Sequence, residues 1–372
     1  MGKRELLLIA AFVIVGAIVY QITAPAPAPG ERAFAPGQLL DHIRRAMRGN
    51  RASAELTTKN TYPVESDVSE LRFDSKAGST NITITGEDRS DIEAELHVRS
   101  NAYDEDEANR TAKDTVLKID RAGPRMVVSV SYPTPGIQRA TVTLKIPHRL
   151  AVQLQGGGNT IAIHNVAAVE LGGARGKMDI GDIPGLVSGA HRGGDMHVVN
   201  AGALKLTLNG TDVEIERIRG ATSLTMRGGD LKCGEVAGPI DLDTQGTDIT
   251  LDRLEKTSGM VRVNTVGGSL EVKGLRTEGR FDSRGAEVDI TIDRAAPLAI
   301  YSEGGGSIEV TPPSGGYQLD AVATDGSLDL PPDTLDITSS GSEHRATGPI
   351  KGGGPTITIR SRRGDITVRE RN

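Results

Sequence analysis

One short pattern recurs every 17 to 21 residues from about Leu150 to Arg371, and it limits what the chain can become more than any other feature. Leu204-Lys-Leu206-Thr-Leu208-Asn-Gly210-Thr-Asp212-Val213-Glu-Ile215 is one line of it, and Thr222-Ser-Leu224-Thr-Met226-Arg-Gly228-Gly-Asp230-Leu231-Lys-Cys233 is the next. Ile240 to Leu251 and Val261 to Val272 repeat it with corner glycines at Gly246 and Gly267. Looser copies place the glycine at Gly158, Gly176, Gly193, Gly285, Gly305 and Gly326, and the chain closes on Gly364-Asp365-Ile366-Thr367-Val368. Each line alternates apolar and polar residues in two short runs, the period of a half-buried strand. One line buries too little apolar surface to fold alone, so the lines must stack, each pairing its backbone with the line above and below. About a dozen lines at roughly 4.8 Å give a rod on the order of 60 Å long. The expected fold is therefore all-β, a parallel β-solenoid over residues 150–372.

Written in columns, the lines separate inside from outside. Leu206, Leu224, Leu242 and Val263 form one inward column, and Ile215, Cys233, Leu251 and Val272 another. Lys205, Asp241, Arg262, Glu214, Lys232 and Glu271 fall outward. Cys233, the only cysteine, thus reads as a small buried hydrophobe rather than a nucleophile. The corner glycines (Gly193, Gly210, Gly228, Gly246, Gly267, Gly285, Gly305) supply positive φ or room for a tight bend. Asp195, Asp212, Asp230 and Asp248, two residues after their glycines, read as bonding nearby backbone amides. A calcium ladder would need Gly-Gly-x-Gly-x-Asp turns on a nine-residue period, which this chain lacks.

Ahead of the repeats, residues 65–149 read as a strand-rich cap covering the first rung. Strands are expected near Glu70–Asp74, Asn81–Thr85, Ile92–Val98, Met126–Val130 and Ala140–Ile146, with one helix over Asp104–Thr115, acidic at its start and carrying Lys113 near its end. Residues 38–64 read as a short amphipathic helix (Leu39, Leu40, Ile43, Met47 on one face) and a connector; the helix either packs on the next domain or touches a membrane surface. Residues 23–37 are an Ala/Pro linker, semi-rigid and extended.

Residues 6–22 (LLLIAAFVIVGAIVYQI) follow Lys3 and Arg4 and read as a signal peptide or a slightly short membrane-spanning helix. The small-x-small sites at Ala24-Pro25-Ala26 and Ala26-Pro27-Ala28 are each followed by proline, a poor context for cleavage, so the expectation is a retained anchor. No cysteine follows it, which removes a lipoprotein. Residues 1–5 then stay cytoplasmic and the body lies across the membrane.

The segment Val142-Thr-Leu-Lys-Ile-Pro147, the lead-in with its acidic helix, and the repeated Gly-x-Asp/Ser-hydrophobic corners resemble the bacterial adhesin-like (autotransporter-adhesin-like) family of unknown function, over about Glu65 to Val368. The resemblance implies a solenoid with a surface role; the expected anchor makes the chain single-pass in the bacterial inner membrane, with its body periplasmic or extracellular. It brings no catalytic residues.

The residues themselves supply no chemistry either. The seven histidines (His42, His97, His148, His164, His191, His197, His344) lack zinc spacing, and Gly156-Gly157-Gly158 and Gly304-Gly305-Gly306 lack the Lys-Ser/Thr of a phosphate loop. We expect no cofactor and no metal. A net charge of −6 without basic blocks argues against nucleic acid. No tryptophan and few other aromatics argue against a glycan platform. The reading is a non-enzymatic, membrane-anchored surface for an envelope protein or other surface ligand. Its alternatives are a β-helix enzyme on an envelope polysaccharide, using Asp241, Asp243 and Arg262 with Lys205 nearby, or a self-assembling envelope scaffold.

Overall fold

The computed structural model describes residues 52–75, 80–132, 138–332 and 334–369. The expected anchor, the Ala/Pro linker and the amphipathic helix lie outside these residues. Among the described residues no helix is long and apolar enough to cross a membrane.

The chain winds into one stack of parallel strands with two strands per rung. On the first face Leu204, Leu206 and Leu208 stand in register with Thr222, Leu224 and Met226, which in turn meet Ile240, Leu242 and Thr244. On the second face Ile215, Cys233, Leu251, Val272 and Ile290 succeed one another rung by rung. The pleat sends these residues inward together, so like packs on like along the axis. All of those named, with Phe281 and Ile300 further along, are buried.

Three corners join the strands, and each bends by different means. At the first, Gly193, Gly210, Gly228, Gly246, Gly267 and Gly285 have φ between +56° and +70°, and Gly305 has φ +104°. At the second, non-glycine residues take the left-handed conformation: Asn165, Asp182, Asn200, Arg217, Glu235 and Arg253. That conformation costs an L-residue roughly 1–2 kcal/mol, and here cross-rung bonds offset it. Asn200 Nδ2 donates to Asp182 Oδ1 at 2.7 Å, and Arg253 donates to Glu235 at 2.6 Å and Glu216 at 2.7 Å. At the third, Gly185, Gly202, Gly220 and Gly238 lie so close to the preceding rung that a Cβ would stand 2.1–2.7 Å from its backbone.

Two expectations about glycine need correction. Gly158 and Gly326, assigned to the first corner, do not have positive φ. A Cβ there would stand 2.5 Å from Thr80 O and 2.3 Å from Gly364 O, so these glycines answer close approach.

The ends also differ from the reading. The solenoid does not begin at residue 150. Glu70–Ser75 pairs in parallel with Ala151–Gly156 on one side and Arg125–Ser131 on the other. Thr80–Glu87 likewise lies between Gln138–Pro147 and Thr160–His164. Part of the expected cap is thus rung, and the segment ending at Pro147 is itself the outermost parallel strand of its face.

The C-terminal end mirrors this. Thr356–Arg362 inserts between Leu298–Glu303 and Tyr317–Thr324, and Ile366–Val368 between Ile308–Thr311 and Leu328–Asp329. The last strands of the chain therefore fill an internal rung. Antiparallel strands close both ends: Asp91–Ala102 and Val116–Ala122 at one, Glu343–Ile350 and Thr338–Ser340 at the other. Reversing direction there stops the in-register parallel stacking.

The helix runs over Glu105–Asp114, with Asp104 as N-cap accepting the Glu107 amide at 2.8 Å. Ala108, Thr111 and Ala112 are buried against the inward side of the closing sheet, where Ser100 meets Thr111 at 2.5 Å. Residues 52–63, expected as connector, form the strand Ala52–Pro63, paired antiparallel with Asp91–Ala102.

Candidate functional site: the acidic second face

The outward residues of the second face come in two neighbouring columns. One carries Lys177, Asp195, Asp212, Asp230, Asp248, Ser269 and Glu287; in its described register Asp230 meets Asp248, Asp248 meets Ser269, and Ser269 meets Glu287. The other carries Asp179, His197, Glu214, Lys232, Thr250, Glu271, Asp289 and Glu309, with Glu271, Asp289 and Glu309 in direct succession. Against Lys177 and Lys232 stand ten carboxylates, so these two columns alone carry more net negative charge than the −6 of the whole chain. The mild overall charge conceals an acidic face, strongest from Asp195 to Asp248, since Lys273 and Arg369 pair with Glu271 and Glu309 farther along.

The face is also concave. A groove of about 790 Å³ runs from Lys177 and Asp179 past Asp195, His197, Asp212, Glu214, Asp230 and Lys232 to Asp248 and Thr250. A second hollow of about 360 Å³ continues among Glu271, Glu287, Asp289 and Glu309.

Rung spacing near 4.8 Å sets like charges close together, and local bonds relieve only part of the repulsion. Asp212 Oδ1 accepts the Asp230 amide at 3.1 Å, and Asp248 Oδ1 accepts the Ser269 hydroxyl at 2.8 Å. These bonds reach the next rung rather than the residue's own corner. Lys232 pairs with Glu214 at 3.0 Å, and Asp179 lies between His197 at 3.0 Å and His164 at 3.4 Å. Partial burial, then the neighbouring Glu309 and Glu271, push the Asp289 carboxyl above its ordinary range. Among the described residues no group of three or more His, Cys, Asp or Glu is placed to hold a metal ion.

The other residues singled out by sequence lie elsewhere. Asp241 and Arg262 are register neighbours on the first face, but Asp243 accepts from Asn264 at 3.1 Å and Arg262 reaches Met260 Sδ at 3.8 Å. Neither these nor Lys205 lines the acidic groove or its continuation. Cys233 is fully buried, and desolvation pushes its thiol up to about 12, which leaves it unreactive.

One buried titratable group escaped the sequence reading. His191 lies in the interior beside Ala174, its Nε2 donating to Gly176 O at 2.9 Å and its Nδ1 3.2 Å from Thr211 Oγ1. Burial lowers its pKa, so the neutral ring is favoured. Its inward parity in the repeat was the available signal.

A family model, Toastrack DUF4097, matches residues 68–369. The chain belongs to the Toastrack DUF4097 family. The match starts well before Leu150, in keeping with the rung at Glu70–Ser75. No curated protein matches this Toastrack chain. Solved structures similar to it include a "putative cell adhesion protein" of Clostridium sporogenes, 10% identical, covering 85% of this chain and 100% of that one at a TM-score of 0.20. A "putative adhesin" of Bacteroides fragilis is 12% identical, with 85% and 97% covered and a TM-score of 0.25. A "putative lipid binding protein" of Parabacteroides distasonis is 10% identical, with 87% and 98% covered and a TM-score of 0.27. Superpositions this loose do not bear on the acidic face.

Proposed function

We propose that this Toastrack protein is a non-enzymatic, membrane-anchored protein of the bacterial envelope whose extracytoplasmic rod presents its acidic second face to a cationic segment of a surface or envelope protein. Residues 6–22 form the anchor, with Lys3 and Arg4 on the cytoplasmic side. The observation that carries the reading is the distribution of polar chemistry. Carboxylates stand in ladders along a groove many rungs long, a form suited to an extended partner, instead of converging on one reacting centre.

The test is retention of envelope proteins from the host by the full chain. A basic partner should be held at low ionic strength and released as salt rises, since the Debye length shrinks from about 10 Å at 0.1 M to about 3 Å at 1 M. Replacing Asp212, Glu214 and Asp230 by their amides should weaken retention roughly tenfold. Retention that ignores both salt and these changes, or no retention at all, would sink the proposal. A topology reporter fused after Asn372 that is active in the cytoplasm would sink the anchoring.

A further inference from the structure

The two ends of the stack are closed unequally. At the C-terminal end the outermost strand, Thr338–Ser340, is three residues long. At the N-terminal end the second face finishes on Ala52–Pro63, twelve residues long, paired on one side with Asp91–Ala102. Among the described residues its strand partner is Asp91–Ala102 alone, and no strand pairs with its other side. The helix packs on the inward side of this sheet, against both Ala52–Pro63 and Asp91–Ala102. Thr58 and Asn60, although of inward parity, are exposed, so the edge also extends past the core. A long strand with a free row of N–H and C=O groups is a template for another strand.

The side chains along it specify which strand. On the outward side Glu55 lies 3.8 Å from Arg99, Thr57 Oγ1 is 3.0 Å from His97 Nδ1, and Lys59 pairs with Glu93 at 2.8 Å. Thr57 sits midway between the acid and the base. If two copies of the strand run antiparallel about a two-fold axis at Thr57, each Glu55 falls opposite the other copy's Lys59, and Ser53 opposite Thr61. Sign then alternates without interruption from Arg99 to Glu55 to the second Lys59 to the second Glu93. The sheet keeps its inward and outward sides across the axis, as an isologous interface requires.

We propose that a second copy of this chain pairs edge to edge along Ala52–Pro63, two-fold about Thr57, joining two rods at their N-terminal ends. This rests on the strand edge alone and stands whether or not the acidic face binds a partner.

The experiment uses the full chain in detergent micelles or native membranes. Its single cysteine, Cys233, is fully buried, so an introduced thiol reports without background. Thr57→Cys should give a disulfide-linked dimer under mild oxidation, because residues directly opposite in an antiparallel pair have Cα atoms about 4.5–5.5 Å apart. Ser53→Cys alone should not, whereas Ser53→Cys with Thr61→Cys should. Thr338→Cys, at the other end, should give no disulfide-linked dimer.

Should Thr57→Cys disturb the strand, charge offers a second route. Lys59→Glu should lower the dimer fraction roughly five- to tenfold, and Glu55→Lys combined with Lys59→Glu should restore it. The proposal is overturned if Thr57→Cys and Thr338→Cys cross-link alike, or if Ser53→Cys links as fast as Thr57→Cys. A chain that stays monomeric, with the edge taken by its own residues 1–51 or by another protein, overturns it as well.

Discussion

Gly202 and Gly246 look alike in the sequence, each a lone glycine between polar or small residues at a corner of a rung, yet they are required for opposite reasons. Gly246 has φ +62° and nothing within 4 Å of where a Cβ would lie. Gly202 has no positive φ, but its Cβ would stand 2.1 Å from Pro184 O in the rung before it. The first corner needs a backbone angle; the third needs the absence of an atom. A solenoid can thus use glycine both to turn its chain and to bring rungs into contact, and only the surroundings tell the two apart.

The sharpest way to break this contrast is to add the same methyl to both. Gly202→Ala should cost about 3 kcal/mol, because the clash is with backbone that cannot swing aside and a rung must lift. Gly246→Ala should cost about 1–2 kcal/mol, the penalty of a left-handed L-residue in open space. Denaturant unfolding of the two variants would measure both, and equal losses would erase the distinction. Asparagine separates them further. It occupies the left-handed region natively at Asn165 and Asn200, so Gly246→Asn should recover most of the loss, to under about 1 kcal/mol, while Gly202→Asn should be at least as damaging as alanine.

A smaller effect tests what else holds a first corner. His191 donates to the carbonyl of Gly176 from inside the stack, and its folded pKa lies below its ordinary value. The unfolded chain therefore takes up a proton first. The stability contributed by the neutral His191 should be complete above about pH 6.5 and fall as pH drops from there toward the lower folded pKa. Thermal unfolding of His191→Leu against pH should flatten that slope. An unchanged slope would show that the corner does not depend on the imidazole.

Legibility followed the same division between local and non-local causes. The middle rungs could be read directly, because their alternation repeats in chain order and the columns through Leu224 and Cys233 align at a glance. The helix could be read from Asp104 and its acidic first turn. The ends could not. Thr356–Arg362 has the same alternation whether it closes the stack or fills a rung inside it, and only its pairing with Leu298–Glu303 and Tyr317–Thr324 places it inside. Ala52–Pro63 was passed over because an edge strand buries little, so its exposed Thr58, Lys59 and Asn60 broke the period that identifies a strand. The acidic face was present as single letters in each line, but its concavity, and its separation from the mixed first face, arise only once the strands are stacked.

By itself the sequence determined the rung: two short strands, an inward and an outward set, and glycine at the bend, since alternation and φ are properties of a residue and its immediate neighbours. The tertiary structure alone decided the order of the end rungs, which glycines make room rather than turn, and how ten carboxylates gather on one concave face. Those depend on contacts between rungs, where what lies about 4.8 Å away is a residue some eighteen positions distant or, at the ends, one from another part of the chain.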